Sequence, residues 1–441
     1  AASDVYKRQV QIIPTDGSLS SGMTFRIRGV NSITGGTQPL FVIDGVPMPT
    51  QQITNEDTET VNNPLLGLNP NDIESMEILK DPSSLAIFGV RGANGVIIIT
   101  TKKAKEGQTL VNINTSFGFK KVVDKVKLVN GSQFRELYSE QLANQEDAPF
   151  DFTGWNANTD WQDEIFQTAF ITNNNISITG ASPKHSFYLG VGYSYEQGNI
   201  EHEKFSKVTI NASNDYKITD YLKVGFQFNG ARMLPADSKQ VLNALRATPI
   251  APVYNDEYGL YSALPEFQKA QINNPMVDVS LRANTTKAEN YRASGNIYGE
   301  VDFLKHFNFK AMFSMDYASN NGRTYQPIVK VYDPTVSGNI ATLGTGKTEV
   351  SQFKENETKV QSDYVLTYTN SFDNGNHNLT ATAGFTTYYN SLSRLDGARK
   401  QGVGLVIPND PDKWFVSIGD AATATNGSTQ WERCLLYTSP S

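Results

Sequence analysis

Cysteine is nearly missing from this 441-residue chain. The one present, Cys434, lies in the terminal CLLYTSPS. No disulfide framework and no Cys-based metal or redox motif can be built from it. A cysteine-free body suits an oxidising, extracytoplasmic compartment, where stray thiols mispair. Histidine is also scarce: His185, His202, His306 and His377 are scattered, and none is spaced as a metal-ligand pair. No apolar run approaches the length of a membrane-crossing helix, and mean hydropathy is −0.40. That absence leaves β-strands free to cross a membrane, because alternating lipid-facing and lumen-facing residues average to a soluble-looking value. Net charge is −7 with no lysine-rich run, which excludes a nucleic-acid partner. Gly-x-Ser-x-Gly, Walker and zinc-protease signatures are missing. Carboxylates such as Asp160, Asp163, Glu164, Glu201 and Glu203 belong to no acid–base motif and read as solvated loop faces. The chain is therefore expected to be no enzyme and to need no cofactor.

Alternation is what the sequence has in quantity. Phe187, Leu189, Val191, Tyr193 and Tyr195 alternate with Tyr188, Gly190, Gly192 and Ser194. Leu222, Val224, Phe226 and Phe228 alternate with Lys223, Gly225, Gln227 and Asn229, and the same period runs through 291–303 and 307–316. One face is apolar and the other mostly polar, over lengths that suit strands crossing a bilayer. Nine strands are expected, near 108–119, 171–181, 185–196, 206–217, 220–231, 290–304, 306–318, 358–371 and 377–390. Aromatic content of 11%, led by 23 Phe and 20 Tyr, suits the girdles of a membrane barrel.

The connections alternate too. Those at 182–184, 218–220, 304–306 and 373–376 are tight, and Asn374-Gly375 is a strong hairpin signal. Those at 120–170, 232–289 and 319–357 are long, whereas the join at 198–204 is short but looser than the tight turns. Short turns at one end and long loops at the other mark an outer-membrane barrel; a soluble sandwich has no reason to segregate them. GSQFRELYSEQL at 131–142 has helical spacing and is expected to decorate the first long loop. Tyr138, Trp155 and Trp161, with Phe152, lie in that loop. They would either stack on sugar rings or form the core of a self-packed loop.

The first hundred residues read differently. Short apolar runs at 25–28, 40–43, 73–79 and 96–101, bounded by Gly, Pro, Asn or Asp, predict four strands of a small mixed domain. Asp81-Pro82-Ser83-Ser84 predicts a helix start, with Asp81 as cap and Pro82 where a missing N–H costs nothing. Gly89, Gly92 and Gly95 permit tight turns before the last strand. GVRGANG at 89–95 is no phosphate loop: it lacks the Gly-Lys-Ser/Thr ending and follows a helix where a cradle follows a strand.

FRIRG at 25–29, PLFVIDGVP at 39–47 and LNPNDIESMEILKDPSSLAIFGVRGANGVIIITTKK at 68–103 occur in this order, ahead of the long strands. Together they resemble the plug domain of SusC/RagA-type TonB-dependent outer-membrane transporters. Pro82-Ser83-Ser84-Leu85 and Phe88 depart from the commoner plug pattern, which marks a subgroup. The resemblance implies a mostly β protein: a small α+β plug at 10–105, then at 106–433 the first part of a transmembrane barrel, left as an open trough. It implies import of oligosaccharides or peptides, a SusD-type surface lipoprotein as lid, and a TonB complex acting on an N-terminal box that would lie before Val10. Arg28, Gly29, Asp44, Gly45, Asp81, Arg91, Gly92 and Gly95 stand at the positions of the plug motif, with the charged ones facing a hydrated plug–barrel interface or capping local turns. The opening AASDVYKRQ and the terminal CLLYTSPS resemble adapter read-through, so residues after Trp431 are expected to pack on nothing, and the lack of a signal peptide is read as truncation. The competing reading is a secreted or surface β-rich glycan-binding protein without transport.

Overall fold

The structure, a computed structural model, describes residues 10–14, 19, 23–27, 38–48, 65, 68–103, 107–235, 242–281, 285–372 and 377–440. Two main sheets, beside three two-stranded ones, make up the described fold. The smaller has the order β4-β3-β6-β5, formed by β3 (Leu40–Ile43), β4 (Val46–Met48), β5 (Ile73–Leu79) and β6 (Val96–Thr101). β3 and β6 are parallel, Leu40 opposite Val96, and the apolar runs LFVI and VIII are buried apart from the partly buried Ile98, as central parallel strands require. On one side Phe41, Ile43, Ile97 and Ile99 pack with Phe25 and Ile27 of β2 (Met23–Ile27), which pairs with β1 (Val10–Pro14). On the other, Leu40, Val42 and Val96 meet Leu85 and Phe88. Leu85 closes the short helix α1 (Pro82–Leu85), in which the Ser84 and Leu85 amides bond back to the Asp81 carbonyl.

The larger sheet has ten antiparallel strands, in the order β20-β19-β18-β15-β14-β11-β10-β9-β8-β7. They are β7 (Gly107–Lys120), β8 (Ala169–Ala181), β9 (His185–Gln197), β10 (Lys204–Lys217), β11 (Leu222–Leu234), β14 (Thr286–Phe303), β15 (Phe307–Gln326), β18 (Glu349–Phe372), β19 (His377–Lys400) and β20 (Thr425–Pro440). All nine expected strands are present, and three corrections are needed. β15, β18 and β19 are 20, 24 and 24 residues long, so much of the expected 319–357 loop is strand. Their polar upper halves hid the period. The tenth strand, β20, pairs with β19 from Ala398–Thr425 to Ala383–Pro440, so residues after Trp431 do not stand free: the open edge of β19 offers a ladder to any extended neighbour. The exposed edges are consequently β7 and β20. The hairpin at 373–376 lies outside the described residues.

Between long strands the chain builds an external layer. It holds the helices α2 (Gly131–Asn144), α3 (Trp161–Ile165), α4 (Leu242–Arg246) and α5 (Glu266–Lys269), and the hairpins β12 (Tyr254–Asn255) with β13 (Leu260–Tyr261) and β16 (Val329–Tyr332) with β17 (Ile340–Leu343). α2 starts on a capping box, Asn130 with Gln133. The connections share a core of Trp155, Trp161, Ile165, Ile200, Ile250 and Leu264. Lys269 then reaches the buried Asp333 at 3.0 Å, tying α5 to the β16–β17 hairpin.

Candidate functional site

The site is the seam between the small sheet and the concave face of the large one. Asp44 and Gly45 turn β3 into β4 with φ of 50° and 85°, the left-handed pair that an Asp-Gly hairpin provides. The Asp44 carboxylate accepts from the Thr101 amide at 2.8 Å and the Thr101 hydroxyl at 2.7 Å. Burial raises its pKa, opposed by these two bonds and by Lys103. Asn296 of β14 donates to the Asp44 carbonyl at 2.8 Å, and Gly45 sits against Met312 of β15. At the other end, Leu68 to Asp72 rest on β8–β10. Tyr188 donates to Asp72 Oδ1 at 2.5 Å and Asn175 at 3.3 Å, while Lys207 Nζ donates to the Leu68 carbonyl at 2.8 Å. Lys103 pairs with Asp215 at 3.4 Å, and Asp215 accepts from Tyr298. Strands lie about 4.8 Å apart, so a small domain that touches strands from β8 to β19 does so only because the sheet curls around it.

Among the residues expected from sequence, Arg91 reaches across to the wall. Its guanidinium lies 4.4 Å over the Tyr388 ring and 3.4 Å from Gln361 Oε1. Asp44 and Gly45 also face the wall. Asp81 is exposed at the start of α1, whereas Gly92 and Gly95 are buried inside the plug fold; a side chain at Gly95 would strike Ile27. Arg28 and Gly29 lie outside the described residues. Trp155 and Trp161 are 4% and 2% exposed, and Trp161 Nε1 donates to the Thr248 carbonyl at 2.9 Å. Both rings pack in the core of the loop layer. Tyr138 is half-buried in an aromatic group with Phe134, Phe150 and Phe267, the last at 4.5 Å.

Sequence reasoning missed the plug's seat on β8–β10. A Cβ on Gly192 would lie 2.2 Å from Asn69 Nδ2, so the plug approaches the wall there only because β9 is bare. The signal was present: Gly190 and Gly192 fall on the polar parity of β9, facing LNPND. It also missed the charged ladder of Arg292, Asp316 and Lys359 on that same face, with Arg292 Nε 2.9 Å from Asp316 and Lys359 Nζ 3.6 Å from it. Buried charge of this kind survives only when paired.

The convex face is the opposite in character. Leu189, Val191 and Tyr193 are 43–45% exposed while Tyr188, next to Leu189 and on the opposite parity, is 3% exposed, the expected phase. Ile176, Ile210, Phe226, Phe228, Ile297, Phe313 and Phe385 extend the exposed apolar surface across the sheet. A soluble protein rarely leaves so wide a patch open. On β14 it runs from Tyr291 to Phe303, about 40 Å of strand at ~3.4 Å per residue. Tilted by about 45°, that spans roughly 28 Å, close to the ~25 Å apolar band of outer-membrane barrels. The tight turns 182–184, 218–221 and 304–306 lie at one end of it and the layered loops at the other. No described helix is long and apolar enough to cross a membrane.

Comparison with known proteins agrees with this geometry. The family described as TonB-dependent Receptor Plug Domain matches residues 2–96. The chain is 32% identical over 318 residues to TonB-dependent receptor P26 of Formosa agariphila, covering 70% of this chain and 30% of that protein. It is 36% identical over 254 residues to TonB-dependent receptor SusC of Bacteroides thetaiotaomicron, covering 56% of this chain and 24% of that one. The chain thus spans about a third or less of the length of these curated relatives. Among solved structures, that of the RagAB peptide transporter superposes with a TM-score of 0.76 at 19% identity, over 97% of this chain and 49% of the other. A plug fold seated in a lipid-facing antiparallel wall, on a sequence shared with these receptors, places the chain in the SusC/RagA-type family of TonB-dependent outer-membrane proteins.

Proposed function

We propose that the full-length protein imports large nutrients, oligosaccharides or peptides, across the outer membrane, with residues 10–105 as plug and 106–433 as the first part of the barrel. The observation that carries this reading is the chemistry of the seam. The plug touches the wall through hydrogen bonds and ion pairs (Asp44, Asp72, Arg91 and Lys103), while its apolar core stays within its own sheet. Water can replace such contacts one at a time at a net cost of about 0.5–1.5 kcal/mol each, so the plug can shift without tearing an apolar seal. The motif residues Arg28, Gly29, Asp44, Gly45, Asp81, Arg91, Gly92 and Gly95 would set its turns and its contacts. A TonB complex would supply the pull through a box ahead of the plug, and a SusD-type lipoprotein would cover the external layer. In that layer Tyr138 is the better candidate for substrate, since it is only half-buried. A secreted glycan-binding module fits less well, because it would expose the convex apolar band to water.

Uptake tests this. A strain lacking the gene is complemented with the full-length protein and supplied with labelled oligosaccharides or peptides. Accumulation of one class that stops when the proton gradient is collapsed is the expected result. Surface binding that is indifferent to the gradient would favour the binding module.

A further inference from the structure

Above the apolar band, the outer surface of the wall changes sign. Outward parity on β14, β15, β18 and β19 carries Lys287, Arg323, Lys354 and Arg399 within a few rungs of one another. Lys287 stands directly opposite Arg323, and Gln352, opposite Arg323, lies two residues from Lys354 along β18. Like charges facing each other across a ladder are destabilising, so a cluster of this kind needs anions. The connection at 401–424 folds down over the same outer surface and supplies few. Trp414 and Ile407 pack on Tyr325 and Val350, and Phe415 lies 4.0 Å under the Arg323 guanidinium. Asp412 pairs with Lys287 at 2.9 Å, Asp410 with Lys413, and Asp420 caps the Ala422 amide. Arg232 lower down is paired with Glu289 at 3.0 Å. Arg323, Lys354 and Arg399 have no carboxylate partner among the described residues, and the buried Nε of Arg399 has no hydrogen-bond partner.

Height says what could face them. Tyr317, opposite Thr358, closes the apolar band, and Lys354 is four residues further along β18, about 10 Å higher for a strand tilted by ~45°. That is the headgroup level of the outer leaflet, on the side that faces lipid. Leu395, 63% exposed, and Phe415, 43% exposed, add apolar surface beside the cations.

We propose that Arg323, Lys354 and Arg399, beneath the 401–424 loop, bind a phosphate-bearing lipid headgroup of the outer leaflet. The site rests on the placement of the convex face in lipid, and it is separate from the lumen that substrate would cross. The test uses the full-length receptor in nanodiscs, titrated with diphosphorylated lipid A, dephosphorylated lipid A or inorganic phosphate and read by native mass spectrometry. Heat-modifiable migration confirms insertion of each variant beforehand, so a failure of membrane placement is told apart from a failure of the site. The phosphorylated lipid should be retained in preference to the dephosphorylated one. Arg323→Gln and Lys354→Gln should each weaken retention by about fivefold, as expected for one surface cation, whereas Lys184→Gln at the opposite rim should not. Equal retention of both lipids, indifference to the two substitutions, or equal competition by inorganic phosphate would overturn the proposal.

Discussion

Gly192→Ala probes the plug seat more sharply than removal of any polar group. The added methyl would lie 2.2 Å from Asn69 Nδ2 and 2.6 Å from Thr209 Oγ1. Asn69 cannot swing aside freely: it is 7% exposed, and its Oδ1 accepts from the Asn71 amide at 3.0 Å as the cap of the short turn that carries Asp72. Losing that cap costs about 1 kcal/mol, and crowding a packed site costs about 1–3 kcal/mol. The seat should therefore be weakened by about 2–4 kcal/mol, or a factor of roughly 30 to 1,000 in local opening. Amide exchange of the full-length receptor in detergent reads this directly. The amides of Leu68 and Asp72, bonded to Leu65 and Asn69 at 3.0 and 2.9 Å, should exchange faster by that factor, while β3 and β6 keep their protection. Gly299→Ala, where a Cβ meets nothing within 4 Å, is the matched control and should change neither. Unchanged exchange at 65–72, or equal acceleration throughout the plug, would refute the seat.

Asp44→Ala should destabilise the plug by about 1–3 kcal/mol through the orphaned Thr101 groups, whereas Asp44→Asn, able to keep both contacts, should cost less; chemical denaturation of the plug distinguishes them. Because burial raises the Asp44 pKa above its ordinary 3.8, the folded plug binds this proton more readily than the unfolded chain. Its contribution to stability should rise as pH falls through the raised value and level off below 3.8, a dependence that Asp44→Asn abolishes. Trp161→Ala should cost about 3–5 kcal/mol in the external layer, lowering its thermal transition in near-UV circular dichroism while the barrel stays heat-modifiable. Lys269→Met leaves Asp333, 2% exposed, without its cation. Thr335 and Lys269 outweigh burial and hold the Asp333 pKa low, so the wild-type hairpin should loosen as pH falls through that depressed value. The variant should be looser already at neutral pH, as measured by limited proteolysis at 333–348.

Legibility followed the physics of each element. Strands inside the apolar band were readable because lipid on one side and a polar lumen on the other impose period two, as at Leu189 and Tyr188. Above the band the faces meet water, lipid headgroups or loop, so Asn320, Asn321, Gln352 and Lys354 carry no period and the upper halves of β15, β18 and β19 read as loop. The β3–β4 hairpin was written plainly in Asp44-Gly45 between apolar residues, yet a three-residue β4 is too short to register as a run. Arg91 and Asp44 were found from motif resemblance. Their partners Tyr388, Gln361 and Asn296 were not, because contacts between residues more than 250 apart depend on how far the wall curls. The sequence of β20 reads as foreign to the protein and so signals no strand, while backbone pairing to β19 asks little of side chains.

The wall has one face in lipid and the other on the plug. Spin labels placed singly on the full-length receptor in outer-membrane vesicles test it, through Leu189→Cys, Val191→Cys and Tyr193→Cys against Tyr188→Cys and Ser194→Cys. Collision with oxygen should be high at the first three and low at the other two, alternating residue by residue, with a water-soluble nickel chelate excluded from the first three. Uniform access of the chelate to both sets, or the opposite phase, would contradict the account.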